Sequence, residues 1–314
     1  MKDRQKLIED SQSGNSEMSK WCWLFWAMLC WMCTGFVIFG LHKGQNPGAS
    51  PLPAQAHRIV SMAPNLTEIL FAIGLEDEIV GVTLHCNYPP AAQSKPKVGT
   101  FWHPNIEAVI AARPAIVITL GIEQKSFADR LSRIGYNCLS LNIEKLSELF
   151  EAIDRIGTAV GRQKEANQLV SEIREELSDI AASVGKENKV KVLWVVQREP
   201  LRAAGRDTFI NEMIELAGGE NAIGPTIYKY PPIGAEQVIA SRTDVIIEPS
   251  MTLQGLAAQQ DTAIRYWSRF DNLPAVTNKR IYVINGDVVS RLGPRLSQGV
   301  ETIAGCLHPG LFEK

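Results

Sequence analysis

The chain has 314 residues, of which 45% are hydrophobic and 21% charged, and its formal net charge at pH 7 is −2. This composition is typical of globular domains with full-sized cores, and the near-neutral charge argues against a nucleic-acid partner, which would need a basic face. Its six cysteines match neither a disulfide framework nor a zinc pattern. At most one pair forms among Cys86, Cys138 and Cys306, and a Cys86–Cys138 disulfide stays open.

The first 57 residues precede any globular pattern. Residues 1–20 are polar and are expected in the cytoplasm, because four Lys or Arg side chains precede the uncharged run at 21–41. That run is long enough to cross a bilayer core of about 30 Å. It is either an uncleaved transmembrane anchor, which its length favours, or a secretory signal cleaved at Ala54-Gln55-Ala56. Residues 42–57 are a Gly- and Pro-rich linker.

Strands and helices alternate from residue 58 onward, which predicts an α/β fold with parallel sheets. The first lobe, 58–160, begins with a strand at Ile59–Met62. A helix capped by Asn65 or Thr67 should follow and end before Gly74, and the next strand is predicted at Ile79–Val82.

The segment Gln163–Val184 predicts one uninterrupted helix. Its apolar residues recur with a period of 3.6, and neither Gly nor Pro interrupts it. Gly185 follows, where a glycine can adopt a positive φ at a helix end. Such a helix is about 33 Å long. We therefore expect a connecting helix at 161–186 that joins the first lobe to a second lobe at 187–314.

An internal repeat supports two similar lobes. Glu107–Ile118 reads EAVIAARPAIVI and Glu236–Ile247 reads EQVIASRTDVII, with six of twelve positions identical at a constant offset of 129 residues. Each copy predicts a short helix that begins with a glutamate and runs into a buried strand. Independent convergence of two helix–strand units is the alternative. We favour a true repeat, because charged as well as apolar positions match.

The second lobe should contain the same kinds of elements. In chain order, they are a strand at Val192–Val196, a helix at Phe209–Ala217, strands at Val245–Ile247 and Ile281–Ile284, and a last helix at Leu296–Cys306.

Aromatic side chains cluster in loops that follow predicted strands. Tyr88 follows the second strand, Phe101 and Trp102 precede the first repeat helix, and Tyr228 and Tyr230 precede the second. If the lobes face each other, these loops line one cleft that suits a large, flat, apolar ligand. The alternative is that single rings only cover the ends of the sheets.

Few residues indicate catalysis or metal binding. Asp287, Arg291 and Arg295 lie between the last strand and the last helix, where polar groups either orient a ligand or form local ion pairs. Nucleophile, zinc and phosphate-loop motifs are absent from the sequence, so we expect neither catalytic residues, nor a metal-ion site, nor a bound cofactor. His103 remains open as an axial ligand to a metal that a macrocycle already holds, but a loop histidine that only forms hydrogen bonds is the favoured interpretation.

Taken together, several segments resemble the periplasmic substrate-binding proteins of the iron–siderophore, haem and vitamin B12 ABC importers, with the cobalamin-binding branch most similar. They are IVSMAPNLTEILFAIGLEDEIVGVT, the Tyr88-Pro89-Pro90 element, GTFWHPNIEAVIAARPAIVI, ELAGGENAI and AEQVIASRTDVII. The resemblance implies two Rossmann-like lobes joined by one long rigid backbone helix. It also implies a non-enzymatic receptor, monomeric when unbound, whose body lies in the periplasm or outside the cell and is tethered to the cell membrane.

The resemblance also assigns roles to single residues. Tyr88 and Trp102 match aromatic ligand contacts, and Tyr230 stands where the cobalamin proteins have a tryptophan. These three residues, and Phe101 from the aromatic loop that contains Trp102, are expected to contact the ligand. Asp287 and Arg291 match polar ligand contacts. Glu107 and Glu236 match paired glutamates that dock onto membrane subunits of the ABC permease. The implied ligand is a corrinoid, with haem or a ferric siderophore as alternative ligands. The alternative function is that of an exported enzyme acting on a tetrapyrrole or metal chelate.

The sequence also departs from the cobalamin-binding pattern. A tryptophan expected near Leu120 is absent, and the loop at Asp287–Ser290 is less aromatic. Ala217 stands where a cysteine would pair with Cys306. These differences concern the identity of the ligand more than the transport role.

Overall fold

The computed structural model describes residues 58–252 and 254–312. The predicted anchor or signal at 21–41 and the linker at 42–57 lie outside the described residues. None of the helices in the described part of the chain has both the length and the apolar character needed to cross a bilayer.

Four parallel strands form the sheet of the N-terminal lobe, in the order β2-β1-β3-β4. Most of their residues are apolar and buried, as expected for parallel strands covered on both faces. The strands are β1 Ile59–Ser61, β2 Ile79–Val82, β3 Ile116–Leu120 and β4 Cys138–Leu141. The helices are α1 Pro64–Ala72, α2 Ile106–Ala111, α3 Lys125–Arg133 and α4 Leu146–Val160.

The C-terminal lobe repeats this strand order as β7-β5-β8-β9, with all four strands parallel. A fifth strand, β6, pairs antiparallel with the end of β5 and has no counterpart in the first lobe. The strands are β5 Val190–Arg198, β6 Leu201–Ala203, β7 Gly219–Asn221, β8 Val245–Ser250 and β9 Ile281–Asn285. The predicted α/β fold with parallel sheets is confirmed.

One long helix, α5, connects the two sheets and spans Gln163–Val184, as the periodicity predicts. The remaining helices are α6 Phe209–Leu216, α7 Ala235–Ser241, α8 Leu256–Trp267, α9 Pro274–Thr277, α10 Gly286–Val289, α11 Leu296–Leu307 and α12 Pro309–Phe312. The buried stripe of α5 belongs to a core cluster that continues into both sheets. Each fully buried aliphatic side chain contributes about 1.5–3 kcal/mol to folding. Burial of this stripe therefore stabilises the packing of both lobes against α5.

The helix packs closely against α4, because Gly157 faces Ala166. A Cβ atom at position 157 would overlap the Ala166 methyl group. Gly185 differs from the expectation: its φ is −64°, so α5 ends without a left-handed glycine. The chain turns there in the ordinary right-handed region, and the Glu187 amide bonds to the Val184 carbonyl.

The predicted caps of the first helix are wrong. Helix α1 begins at Pro64, and Ala63 occupies the cap position without a side-chain hydrogen bond. Proline suits the first helical position, because its φ is already set and it has no amide hydrogen to satisfy. The Asn65 amide instead donates to the Leu292 carbonyl of the other lobe, and Thr67 hydrogen-bonds to Ser61 and Cys86.

The two repeat copies occupy equivalent positions. Helices α2 and α7 lead into β3 and β8, which each lie beside the first strand of their sheet. Even the helix ends match: Arg113 and Arg242 adopt φ values of 45° and 47°. Non-glycine residues are uncommon in this left-handed region, so the matched conformation supports a true repeat.

The described cysteines are free thiols. Cys86 belongs to the core on one face of the N-terminal sheet, whereas Cys138 packs on the opposite face. The sheet separates these two side chains, so the disulfide left open by the sequence does not form in this structure.

Candidate functional site

The carboxyl ends of the two sheets face each other, and loops from opposite edges make contact at two places. All parallel strands of a sheet end at the same edge, where α/β proteins place their ligand sites. The loop after β2 and helix α1 contact the segment after β9. At the other edge, the loop after β4 contacts the segments before α6 and α7. The region between these two bridges, at the carboxyl ends of the central strands, is termed the cleft.

The first bridge is a cluster of four charged residues, termed the ion cluster: Glu68, Asp287, Arg291 and Arg295. Arg295 Nη2 lies 2.6 Å from Glu68 Oε1 and 2.9 Å from Asp287 Oδ2. Arg291 Nη2 lies 2.6 Å from Asp287 Oδ1. Glu68 is buried, and its carboxylate lies beside both guanidinium groups.

Neighbouring groups extend the ion cluster across the lobe interface. Arg291 donates to Asn87 Oδ1 at 2.7 Å, and the Arg295 guanidinium stacks 4.0 Å from the centre of the Tyr88 ring. Burial alone would lower the pKa of Arg295, but hydrogen bonds to Glu68 and Asp287 raise it above its ordinary value. Arg295 therefore stays charged and fixes one face of Tyr88.

The second bridge is more exposed. Lys229 Nζ lies 2.5 Å from Glu144 Oε2, and Lys145 Nζ lies 3.3 Å from Asp207 Oδ1. The hydrogen bond to Glu144 raises the pKa of Lys229. Exposed pairs of this kind contribute about 0–1 kcal/mol, so the loss of one partner costs less here than in the buried ion cluster.

Between the bridges, Trp102 lies over the central strands of the N-terminal lobe. Buried Gln124 holds its loop: Nε2 donates to the Phe101 carbonyl at 3.0 Å and to the Met62 carbonyl at 2.9 Å, and Oε1 accepts from the Leu120 amide at 2.9 Å. Phe101 packs edge-on against Trp102, with ring centres 4.7 Å apart. The Trp102 indole is left largely exposed.

The C-terminal lobe contributes a loop at 222–234 and the residue after β8. Tyr228 and Met251 are exposed, whereas Tyr230 is partly buried. Burial raises the pKa of Tyr230, so its hydroxyl stays protonated at neutral pH. The loop is held by hydrogen bonds from Gly205 N to the Lys229 carbonyl at 2.7 Å and from Arg202 to the Tyr230 carbonyl at 3.1 Å.

Glu107 and Glu236 lie in the first turns of α2 and α7, and both side chains are exposed. Both helices begin after a loop that leaves the carboxyl edge of its sheet. The two glutamates therefore lie at equivalent positions on the cleft side of each lobe.

A cavity of about 480 Å³ lies elsewhere, between the ends of β5 and β8 and helix α8. Glu248 at its wall is buried and accepts from Arg198 at 2.5 Å and from Trp267 Nε1 at 2.6 Å. The pKa of Arg198 is raised by its hydrogen bond to Glu248. Because the charges are paired within the wall and none of the aromatic loops contributes to it, this cavity is not the predicted site.

The structure brings Tyr88, Asp287 and Arg291 to one bridge, and it places Trp102 in the N-terminal lobe between the bridges. Sequence reasoning missed Glu68 and Gln124, which hold these groups. Glu68 has one sequence signal, a charged residue inside the apolar segment LTEILF, whereas Gln124 lies between Glu123 and Lys125 and has none. Across the described residues, no group of three or more His, Cys, Asp or Glu side chains is arranged to hold a metal ion.

Residues 59–288 match the protein family described as periplasmic binding protein, and the chain belongs to this family. Among curated relatives, it is 32% identical over 265 residues to YvrC, an ABC transporter substrate-binding lipoprotein of Bacillus subtilis, covering 82% of each chain. It is 25% identical over 268 residues to the vitamin B12-binding protein of Vibrio cholerae, covering 85% of this chain and 93% of the relative.

Solved structures share the fold. A haem-binding protein of Vibrio cholerae, HutB, superposes with a TM-score of 0.72 at 26% identity, over 81% of this chain and 100% of that chain. The vitamin B12-binding protein BtuF of the same species superposes with a TM-score of 0.69 at 23% identity, over 83% and 100% of the two chains. The sequence-based assignment to this superfamily is confirmed.

Proposed function

We propose that the protein is an extracytoplasmic, membrane-tethered receptor that binds a corrinoid between its lobes and delivers it to the membrane subunits of an ABC importer. One observation carries the ligand class: large aromatic side chains are exposed on the loops at the facing edges. Tyr88 is 42% exposed, Trp102 70% and Tyr228 68%. Such rings give a bulky ligand a large contact area at a small cost in rotamer entropy.

The charges at the cleft are paired with each other, which favours a ligand whose outer groups are uncharged. The ion cluster contains two carboxylates and two guanidinium groups, and Lys229 and Lys145 pair with acids at the second bridge. A corrinoid presents a fringe of neutral amides, whereas haem carries propionates and many ferric siderophores are anionic. A site whose named cations are already paired gives anionic groups little extra stabilisation.

The relatives support the transport role. One curated relative is a lipoprotein of an ABC transporter, and others are vitamin B12-binding proteins. A membrane tether agrees with the uncharged run at 21–41 in the sequence. A receptor of this kind binds and releases its ligand without chemical change, so we infer that the protein is not an enzyme.

Titration of the detergent-solubilised full chain with cyanocobalamin tests the ligand. We expect saturable binding, and Trp102→Ala should weaken it about tenfold because the indole is the largest exposed surface at the cleft. Leu311→Ala, another exposed apolar side chain, is the matched control outside the cleft. Absence of binding at about 50 µM ligand would exclude the corrinoid, and chemical change of the ligand during long incubation would favour an enzyme.

Haem is the second candidate. His103 is exposed beside Trp102, and imidazole is a common axial ligand of haem iron. If haem is the ligand, titration with hemin should give an absorption band that shifts in His103→Ala, whereas His85→Ala, an exposed histidine outside that loop, should leave it unchanged.

A further inference from the structure

Met251 is exposed at the cleft. It directly follows β8, one of the two central strands of the C-terminal sheet, and its side chain is 67% exposed. Of the other methionines in the part of the chain that the structure describes, Met62 and Met213 are buried. Among the described residues, Met251 is therefore the methionine whose sulfur a dissolved molecule can reach.

The repeat gives Met251 a counterpart in the first lobe. Ile122 stands at the equivalent position, at the same offset of 129 residues, and follows the central strand β3 by two positions. Its side chain is 80% exposed. In each lobe, one large apolar side chain without an aromatic ring is thus exposed at the carboxyl end of a central strand.

Close packing holds the sulfur of Met251 in place. Ser250 pairs with Asn285 across the sheet, which brings Met251 beside Gly286. A Cβ atom at position 286 would lie only 3.0 Å from Met251 Sδ and 2.8 Å from the Ser250 carbonyl oxygen. Because Gly286 has no side chain, the sulfur packs directly against the backbone at the start of α10.

This packing places Met251 beside the ion cluster. Asp287 directly follows Gly286 and accepts a hydrogen bond from Arg295, whose guanidinium stacks on the Tyr88 ring. The sulfur and the Tyr88 ring therefore lie near the same cluster, at the end of the cleft formed by the first bridge.

A thioether is suited both to ligand contact and to oxidation. Methionine is unbranched and its sulfur is polarisable, so the side chain adapts to an irregular apolar surface. Oxidation converts it to a sulfoxide, which is polar, and enzymes reduce the sulfoxide back to the thioether. A sulfoxide oxygen covered by a ligand loses its water without gaining a defined donor, which is unfavourable.

We propose that Met251 contacts the bound ligand and that reversible oxidation of its sulfur by a peroxide weakens ligand binding. The O–O bond of hydrogen peroxide breaks, one oxygen atom bonds to Sδ, and the other leaves as water. The sulfur loses the two electrons that the peroxide gains. In the reverse step a dithiol supplies two electrons and becomes a disulfide, and the oxygen leaves as water. This inference rests on the proposed function and adds a redox-sensitive contact to the same site.

Peroxide treatment of the detergent-solubilised full chain, followed by peptide mass spectrometry, tests the contact. Met251 should be oxidised before Met62 and Met213. Cyanocobalamin at ten times its Kd should slow the oxidation of Met251 about tenfold, because only the unliganded protein then exposes the sulfur. Equal rates with and without bound cyanocobalamin would overturn the contact.

Titration of the oxidised protein tests the effect on binding. Oxidation should weaken cyanocobalamin binding about tenfold, and treatment with the two methionine sulfoxide reductases, one for each sulfoxide epimer, should restore it. Unchanged affinity after complete oxidation of Met251 would overturn the inference.

Matched variants assign the effect to one sulfur. Met251→Leu cannot form a sulfoxide, so peroxide should leave its affinity at its own starting value. Met213→Leu, a volume-conserving change at a buried methionine, should lose affinity on oxidation as the wild type does. Equal losses in the two variants would show that Met251 is not the sensitive residue. If the untreated wild type does not bind cyanocobalamin, the proposed function fails before peroxide is added, and this inference fails with it.

Discussion

The two lobes share one strand order but hold their aromatic loops in different ways. In the N-terminal lobe, buried Gln124 ties the Phe101–Trp102 loop to the ends of β1 and β3. In the C-terminal lobe, hydrogen bonds from Gly205 and Arg202 hold the loop at 222–234, and its Lys229 also pairs with Glu144 of the other lobe. The first loop is fixed within its own lobe, whereas the second depends partly on contact between the lobes.

The same strand order thus supports one loop whose conformation is fixed within the N-terminal lobe and another, in the C-terminal lobe, whose conformation depends on contact with the other lobe. A preformed loop loses little entropy when a ligand binds. A loop that relies on an exposed ion pair is more easily displaced. The variants below separate the internal anchors from the contacts between lobes.

The largest effect is expected for the ion cluster. Glu68→Gln removes the buried charge that faces Arg295 and Arg291, and loss of one partner in a buried ion pair costs about 4 kcal/mol. We expect the free energy of unfolding in urea to fall by that amount. Asp129→Asn breaks the exposed Lys125–Asp129 pair and is the matched control, with an expected loss of about 0.5 kcal/mol. Equal losses in the two variants would mean that the ion cluster does not hold the lobes together.

Gln124→Met tests the internal anchor of the Trp102 loop. Methionine keeps nearly the same volume, so the change removes three hydrogen bonds and leaves the buried Met62 carbonyl and two partly buried backbone groups without this partner. We expect a loss of about 3 kcal/mol in the free energy of unfolding, together with weaker ligand binding. Hydrogen exchange should increase in the loop at 99–105. Unchanged exchange there would contradict the anchoring role.

A smaller effect is expected at high pH from the buried thiol of Cys306 in the C-terminal lobe. Burial raises the pKa of Cys306 to about 11 from a model-peptide value of 9.0. The folded state therefore keeps the proton while the unfolded state loses it, so this stability is present below pH 9.0 and is lost as pH rises toward about 11. We expect the wild-type chain to lose about 2 kcal/mol more than Cys306→Ala over this window.

Urea titrations at several pH values between 8 and 11 measure this difference. Subtracting the Cys306→Ala curve removes the contribution of lysines and tyrosines that titrate in the same range. Parallel curves for the two proteins would show that the Cys306 thiol does not control the loss of stability.

The smallest effect on stability is expected for Lys229→Ala. The Lys229–Glu144 pair is exposed, so its loss should change the free energy of unfolding by about 0.5 kcal/mol or less. Because the pair joins the 222–234 loop to the other lobe, exchange of amides in that loop should nevertheless increase. If amide exchange increased in the loop at 99–105 rather than at 222–234, the two loops would not be anchored by different contacts.

The sequence predicts the regular elements well where periodicity is strong. Helix α5 and strand β2 have their predicted bounds. It predicts helix ends poorly: Asn65 and Thr67 do not cap α1, and Gly185 is not left-handed. At α1, Pro64 already satisfies the start of the helix, and the Asn65 side chain is used by the opposite lobe. Tertiary contacts decided these details.

For the site, the sequence alone identified the aromatic loops, the repeat and the two glutamates, because each is a local pattern of residue types. It could not show that Asp287 and Arg291 belong to an ion cluster with Glu68, or that Gln124 holds the Trp102 loop. Glu68 and Arg295 are separated by 227 positions in the chain, and only the folded chain brings them together. Local periodicity thus determined the strands, the long helix and the repeat of this protein. The tertiary structure decided which charges pair across the lobes and which aromatic rings remain exposed, because both depend on contacts between distant segments.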